Sequence, residues 1–315
     1  MESISRLPDI AAVVDAARRI APYIHRTPVL TCRSLDELVG ASLFFKCENF
    51  QKTGSFKVRG GCNVILSLST RQAERGVVTH SSGNHGAAIA YAASLRGMSA
   101  RIVMGENATT TKVRNVSRFG AEVIRCAPSL RARQRTCDDL VERYGCLPIP
   151  LSDNEAIIAG QGTAALELLE DVQDLDALIA PVGGGGLLCG TAIVSATRSP
   201  LTEVHGAEPI AADDAARSLI SGRVEPLEAP QTIADGLHAT LSERTLAGIR
   251  QHVKSIGTAT EDGIRLAMKL TAEHLKIVAE PSASVPLACL LEHSLALRGR
   301  RVGIILSGGN IEWRA

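Results

Sequence analysis

The sequence predicts an α/β protein built on a mainly parallel sheet, because short apolar runs alternate along the chain with helical patterns. Three of the apolar runs lead into glycine-rich loops, at 81–86, 183–186 and 307–310. Ligands of open α/β sheets bind beyond the carboxyl ends of the strands, so these loops are expected to converge on one cleft. Hydrophobic residues make up 45% of the chain and aromatic residues only 3%, which predicts an aliphatic core.

The predicted strands are short runs rich in Val and Ile, and the predicted helices are segments with apolar residues at helical spacing. In chain order they are a helix within 1–24, a strand at 76–80, a helix at 87–95, a strand at 100–104, a helix near 111–119, a strand at 121–126, a helix near 129–144, a helix near 157–169, a strand at 176–182, a helix at 187–197 and a strand at 301–306. The first helix is amphipathic, because Asp15, Arg18 and Arg19 interrupt its apolar residues, and this pattern differs from a signal peptide.

Composition argues against several classes of function. The 34 basic and 33 acidic residues give a formal charge of +1, which speaks against nucleic acid as a partner. The eight cysteines form no CxxC pair and have no histidine cluster beside them, so neither a zinc site nor a disulfide framework is predicted. Reduced thiols fit a cytoplasmic protein, and no apolar run has the length of a membrane span.

Four consecutive glycines stand between a predicted strand and a predicted helix. Gly183, Gly184, Gly185 and Gly186 leave backbone N–H groups uncovered at a helix N-terminus, which is a favourable site for a phosphate group. The spacing matches neither the GxGxxG pattern nor the lysine-bearing phosphate loop, so a dinucleotide or a nucleoside triphosphate is not the expected ligand.

The segment 48–60, ENFQKTGSFKVRG, places Lys57 just after Ser55, which is a suitable helix N-cap. A lysine in the first turn of a helix lies at the positive end of the helix dipole. That setting lowers the pKa of the amine and makes it a better nucleophile.

The segments ENFQKTGSFKVRG, SSGNHG (81–86), GGGG (183–186) and SGGN (307–310) together resemble the motifs of the fold-type II enzymes dependent on pyridoxal 5′-phosphate (PLP). The resemblance is to the serine/threonine dehydratase and serine racemase family and extends from about Arg26 to Asn310. It implies a tryptophan synthase β-like fold with two open, twisted, mainly parallel sheets flanked by helices. A large domain of 1–75 and 149–315 would hold a small domain of 76–148, and the chain would form a homo-oligomer, a dimer or a tetramer.

The resemblance also implies roles for particular residues. Lys57 would carry the cofactor as a Schiff base and act as the general base at Cα, and Ser82 would be a second acid/base on the opposite face. The implied cofactor-binding residues are Lys57, Asn84, Gly183, Gly184, Gly185, Gly186 and Ser307. The implied substrate-binding residues are Ser81, His85 and Arg133. Relatives have Asn where this chain has Ser152, and Ser152 is left out of the cofactor set.

A divalent cation site is implied by the segment AEPIAADD, 207–214. Glu208 and Asp214 would supply carboxylates and Ala212 a backbone carbonyl. Such oxygen ligands suit Mg²⁺ or Ca²⁺, and Mn²⁺ is a further candidate. An exposed acidic loop is the alternative interpretation of this segment.

The expected function is that of an ammonia-lyase acting on a small substrate, namely L-serine, L-threonine or 3-hydroxyaspartate. His80 and Arg133 match positions near the substrate in the family, where a cation would accept the second carboxylate of 3-hydroxyaspartate. Ser82 keeps a serine or aspartate racemase open as the alternative. A β-replacement enzyme is less well matched, because TIADG (232–236) and the implied cation site follow the dehydratase–racemase branch. A non-catalytic PLP-binding sensor is less well matched, because Lys57 and all four motifs are intact.

Overall fold

The computed structural model of the protein describes residues 7–81, 83–228 and 230–312. Its strands are β1 Val29–Leu30, β2 Ser42–Cys47, β3 Val77–His80, β4 Ala100–Gly105, β5 Glu122–Cys126, β6 Leu147–Pro148, β7 Ala177–Pro181, β8 Glu203–Pro209, β9 Ser255–Ala259 and β10 Arg301–Leu306.

The α-helices are α1 Ile10–Ile20, α2 Arg33–Val39, α3 Lys57–Leu66, α4 Thr70–Glu74, α5 Asn84–Leu95, α6 Thr110–Ser117, α7 Leu130–Tyr144, α8 Glu155–Asp171, α9 Gly186–Arg198, α10 Asp214–Ser221, α11 Glu243–His252, α12 Glu261–Leu270 and α13 Pro281–Leu291. Short 3₁₀ turns lie at Glu48–Phe50, Ile210–Ala212 and Asp235–Leu237, and a π-helical turn lies at Thr271–Leu275.

Two separate sheets organise these elements. Six strands lie in the order β1-β2-β10-β7-β8-β9, and all neighbours are parallel except β1, which is antiparallel to β2. The other four lie in the order β5-β4-β3-β6 and are all parallel. The expected α/β fold with two mainly parallel sheets is therefore confirmed. The domain boundaries remain a prediction, although the four-stranded sheet is drawn from the predicted segment 76–148.

Aliphatic cores cover the faces of both sheets. Helices α2, α12 and α13 pack on one face of the six-stranded sheet, and α1, α8, α9 and α11 pack on the other. Helices α3 and α5 cover one face of the four-stranded sheet, and α7 covers the opposite face. The strands predicted in 76–182 and at 301–306 agree with the structure within a few residues. The elements that were not predicted are strands β1, β2, β6, β8 and β9 and helices α2, α4 and α10 to α13.

Close glycine contacts bring α3, α8 and α9 together behind the cleft. A Cβ atom on Gly160 of α8 would lie only 2.6 Å from the Cα of Gly60 in α3. One on Gly190 of α9 would lie 2.7 Å from the backbone nitrogen of Gly162 in α8. Because no side chain fits at these crossings, the backbone of α3 is set directly against the large core.

A buried ionic cluster ties the start of α3 to the rest of the fold. Arg59 has no solvent exposure, and its guanidinium contacts Glu48 at 2.7 Å and Glu167 at 2.7 Å. The Lys46 Nζ atom, also fully buried, lies 2.7 Å from the carboxylate of Glu167 and donates to the carbonyl of Thr27. These contacts join β2, the turn before Lys57, α3 and α8.

Candidate active site

The predicted cleft forms where strands of both sheets end. Loop 81–86 follows β3, loop 183–186 follows β7, and loop 307–310 follows β10. The backbone of the lysine segment pairs with the last of these loops: the Phe56 N–H donates to the Ser307 carbonyl at 3.0 Å, and the Gly309 N–H donates to the Gly54 carbonyl at 2.9 Å. The structure thereby brings 54–57 and 307–310, which are far apart in the sequence, into direct contact.

Lys57 is the first residue of α3, and no side chain caps this helix. Its Nζ atom lies 5.0 Å from the centre of the Phe56 ring. Burial lowers the pKa of Lys57 to about 8, and the nearby Glu280 carboxylate opposes that shift. The pKa of Lys57 is thus lowered, as the sequence predicted, and burial is the main cause of the shift.

Asn84 belongs to a partly buried polar network that was not predicted from the sequence. The Asn84 Nδ2 atom donates to Glu280 Oε1 at 2.8 Å, and Asn310 Nδ2 donates to Asn84 Oδ1 at 2.8 Å. Asn310 also donates its backbone N–H to Glu280 Oε2 at 3.1 Å. Both sides of the Asn84 amide are thus engaged, so its orientation is fixed. Asn310 could be noticed within SGGN, but no motif distinguishes Glu280.

Glu280 is a buried carboxyl group at the edge of the cleft. Its residue is 7% exposed, and burial raises its pKa to about 7, although the hydrogen bond from Asn84 favours the charged form. Lys112 and Asp235, which form an ion pair at 2.6 Å, are the other charged groups that influence it. The cleft therefore contains an acid and an amine that both titrate near neutral pH.

The four glycines form a close-packed turn at the start of α9. Gly185 adopts a left-handed conformation with φ of 81° and caps the helix. A Cβ atom on Gly183 would lie 3.0 Å from the Leu237 Cα atom, and one on Gly184 would collide with the hydroxyl of Ser152. Gly185 requires glycine for its left-handed backbone, and a side chain at Gly183 or Gly184 would displace its neighbours. The backbone amides of the turn stand at a helix N-terminus, as a phosphate site requires.

Several polar atoms in the cleft have no partner among the described residues. Both ring nitrogens of His85 are buried and unpaired, as are Ser55 Oγ and Arg133 Nε. Burial lowers the pKa of His85 well below its usual range, and the charges of Lys57 and His80 add to this effect. Burial and the Arg133 charge likewise lower the pKa of His80. The histidines and the arginine form a basic row that extends from Lys57 to α7.

Two further predicted residues, Ser81 and Ser307, lie in the loops after β3 and β10. Ser81 lies at the end of β3, and its hydroxyl accepts the N–H of Gly83 at 3.2 Å. Ser307 is buried next to the lysine segment. Ser82 lies outside the described residues. The roles assigned to Ser81, Ser82 and Ser307 therefore stay predictions.

The residues of the predicted cation site lie at and just after the carboxyl end of β8, a strand that is two positions from β10 in the six-stranded sheet. Glu208, Ala212 and Asp214 are all buried, and the Glu208 carboxylate accepts the N–H groups of Ala215 and Ala216. Burial raises the pKa of Glu208 to about 8 and that of Asp214 to about 6. Both Asp214 carboxylate oxygens are buried without a partner in the described structure, so the alternative of an exposed acidic loop does not hold.

The cation site and the cleft offer different chemical groups to a ligand. Across the described ranges, no group of three or more His, Cys, Asp or Glu side chains is placed to hold a metal ion, so any cation at Asp214 would also use backbone oxygens or water. The cleft presents a weakly basic lysine, a side-chain-free phosphate turn and unpaired buried donors. These features fit a phosphorylated aldehyde such as PLP.

Comparison with known proteins agrees with this arrangement. The pyridoxal-phosphate dependent enzyme family matches residues 20–308. Serine racemase of Dictyostelium discoideum is 46% identical, over 95% of this chain and 94% of its own length. The β-hydroxyaspartate dehydratase of Paracoccus denitrificans is 46% identical, over 97% of each chain. The structure of maize serine racemase superimposes with a TM-score of 0.95 and 43% identity, covering 98% of this chain and 95% of that one.

Within the described ranges, no helix combines the length and the apolar character that a membrane span requires. The cytoplasmic location and the homo-oligomeric assembly stay predictions.

The pKa of Lys57 predicts how its reactivity depends on pH. Because the amine loses its proton near pH 8, its covalent trapping of PLP, followed as cofactor fixed by borohydride, should rise through pH 8 and level off above about pH 9. Lys57→Arg should abolish the trapping, whereas Lys52→Arg, at an exposed lysine of the same loop, should leave the profile unchanged. A midpoint above pH 10 would contradict the lowered pKa.

Proposed function

Because this chain belongs to the pyridoxal-phosphate dependent enzyme family, we propose that it is an ammonia-lyase that converts a β-hydroxy amino acid to a keto acid and ammonia. The observation that carries the proposal is the Lys57 amine, whose pKa is lowered to about 8 by burial. Its segment pairs with the loop after β10, and the phosphate-type glycine turn follows β7, the strand next to β10. The PLP-dependent family and relatives named as dehydratases and ammonia-lyases support the same reaction class.

Lys57 would transfer protons at the substrate Cα atom. When bound, PLP withdraws electrons from Cα and makes its proton acidic. An amine with a pKa near the working pH is an efficient base for that proton, and it returns the proton as an acid at little cost. The β-hydroxyl group would leave Cβ with one proton as water. A second water molecule would then hydrolyse the imine form of the resulting enamine to the keto acid and ammonia.

Other side chains of the cleft would hold and orient the reacting groups. Asn84, with its amide orientation set by Glu280 and Asn310, is proposed to bind the 3-hydroxyl group of the cofactor. The turn 183–186 would bind the phosphate group, and Ser307 would face the pyridine nitrogen. A neutral hydroxyl there leaves the ring a weaker electron sink than a carboxylate partner would, which favours prompt departure of a β-leaving group.

The basic row favours a substrate with two carboxylates. The loop containing Ser81 and His85 is proposed to bind the α-carboxylate, as the family resemblance implies. A second, distal carboxylate would meet His80 and Arg133, and the Arg133 Nε atom is buried without a described partner. Arg133 as a whole is half-buried, but a buried N–H donor without a partner is unfavourable, so a ligand carboxylate that pairs with it gains a charge-assisted hydrogen bond. Among the candidate substrates, 3-hydroxyaspartate has such a carboxylate, whereas serine and threonine do not.

Substitution of Arg133 tests this preference. Arg133→Gln should lower kcat/KM for 3-hydroxyaspartate by about 10- to 100-fold, because a hydrogen bond to a charged group is lost, and should change that for L-serine much less. Keto acid release from each substrate is the measurement. Arg131→Gln, at an exposed arginine of the same helix, is the matched control. An equal loss with both substrates would remove Arg133 from the substrate site.

A racemase is the second candidate, and Ser82 is the observation in its favour. It occupies the position in SSGNHG where serine racemases of the family have an acid/base group, and several relatives are named serine racemase. Inversion at Cα requires proton transfer on two faces, one by Lys57 and one by a second group. Elimination from the L-isomer needs Lys57 alone.

Replacement of Ser82 separates the two activities. Ser82→Ala should preserve keto acid release from L-substrates and abolish both inversion and reactions of D-isomers, measured by chiral analysis of the remaining amino acid. Equal loss of L- and D-isomer chemistry would contradict the acid/base role. If the unsubstituted enzyme produced no D-isomer at all, the racemase candidate would fail.

We also propose a divalent cation, Mg²⁺ or alternatively Ca²⁺ or Mn²⁺, at Glu208, Ala212 and Asp214. The unpaired, buried oxygens of Asp214 support it, because a buried carboxylate is stabilised by a cation that replaces lost hydration. Because Glu208 also binds the first N–H groups of α10, a cation there is proposed to have a structural role, joining the end of β8 to that helix.

Thermal unfolding with Mg²⁺ and with EDTA tests the cation site. Mg²⁺ should raise Tm by a few degrees, about 2–4 °C, and more at pH 8 than at pH 6, because carboxyl groups with pKa values of about 8 and about 6 must lose protons to bind it. Asp214→Asn should abolish the shift. Asp213→Asn should retain it, since that carboxylate is paired with Arg217 at 2.8 Å. A shift that survives Asp214→Asn would place the ion elsewhere.

A further inference from the structure

The glycine turn at 183–186 has no side chains with which to hold its own shape, so neighbouring segments must do so. One of these segments is the loop that contains Ser152. Its hydroxyl lies so close to Gly184 that a Cβ atom there would collide with it, and a Cβ atom on Gly186 would lie 3.4 Å from the Ser152 Cβ. The loop therefore forms one wall of the turn.

The other wall comes from residues that lead into α11. A Cβ atom on Gly185 would lie 2.7 Å from a methyl carbon of Leu241 and 2.8 Å from the Cβ of Thr245. Helix α11 is capped by Ser242, which accepts the N–H of Thr245 while Thr245 accepts the N–H of Ser242. The cap makes this second wall rigid.

An ion pair joins the two walls. Arg244, in the first turn of α11, contacts the Asp153 carboxylate at 3.1 Å, and the arginine side chain is only 15% exposed. Arg244 is also close enough to the first turns of α9 for its charge to oppose the burial that raises the pKa of Cys189 to about 12. The pair thus spans the phosphate turn, with its positive member on the side of the α9 N-terminus.

We propose that the Asp153–Arg244 ion pair is a positioning element that holds the two walls against the glycine turn and thereby sets the affinity for the phosphate group of the cofactor. This inference rests on the proposed function, because it assumes that the turn binds PLP. The pair fixes the Ser152 loop and the start of α11, which pack on the turn, and so fixes the orientation of the backbone N–H donors. Donors that are already oriented bind an anion more tightly than mobile ones.

Cofactor titration of the apoenzyme tests the proposal with two ligands, PLP and pyridoxal, which differ in the phosphate group. Arg244→Gln and Asp153→Asn should each raise the Kd for PLP by about three- to fivefold, the range expected for one partly exposed ion pair. The double variant should show no more than the larger single effect, because both remove the same contact. The Kd for pyridoxal should not change, and neither should kcat at saturating PLP.

Two control variants distinguish loss of this ion pair from a general effect of substituting a charged residue. Arg244→Lys should bind PLP nearly as the unsubstituted enzyme does, because it can keep the pair. Arg300→Gln breaks a comparable partly exposed pair with Glu203 (2.7 Å), at the opposite, amino-terminal ends of the strands, and should leave both Kd values unchanged. Circular dichroism and Tm of each apoenzyme verify that the variants are folded.

Three results would overturn the proposal, and a different result would overturn the proposed function. An unchanged Kd for PLP in the Arg244→Gln variant would overturn the proposal. Tighter PLP binding by Asp153→Asn would also overturn it, because Asp153 would then oppose cofactor binding and not support it. A loss of affinity for PLP and pyridoxal alike would also overturn it. If the unsubstituted apoenzyme bound neither ligand, the proposed function itself would fail.

Discussion

A guanidinium that has no contact with solvent must be paired, and this requirement at Arg59 determines the geometry on which the cleft depends. Its partners Glu48 and Glu167 come from segments before and far after it in the chain. Removing one member of such a cluster leaves a buried charge uncompensated, at a cost of about 3–5 kcal/mol. Because Arg59 lies two residues beyond Lys57, this pairing fixes the first turn of α3 from behind, while the lysine faces the cleft.

The front of the same turn is held by backbone contacts and by small residues. Gly54 and Phe56 pair with the loop after β10, and the glycines of α3 and α8 let those helices meet without side chains between them. Buried polar atoms of His85 and Arg133 have no hydrogen-bond partner among the described residues, which is normally unfavourable in a protein interior. The fold can carry this cost because the contacts around it hold the scaffold rigid. A scaffold stabilised elsewhere can keep such groups oriented for a ligand.

Much of this arrangement was predictable from local sequence. Alternation of short apolar runs with helical patterns indicated the α/β class, and the glycine-rich loops indicated that ligand-binding groups gather at the carboxyl ends of strands. Lys57 was identified because its segment, ENFQKTGSFKVRG, resembles the lysine motif of the family. Strand β2 and the helices after α9 escaped prediction. Helix α13 is mostly apolar, but Pro286 within it is an unfavourable signal for a helix.

The sequence by itself determined the chemical groups of the cleft: the lysine, the glycine turn and the three loops, since each is a contiguous pattern that local backbone rules constrain. The tertiary structure alone decided their partners. Glu280 meets Asn84 across 196 positions of sequence, and Arg244 meets Asp153 only because α9 brings the two walls together. Sequence periodicity reports on neighbours within a turn or a strand. Burial, and with it the pKa of Lys57, arises when distant segments exclude water together.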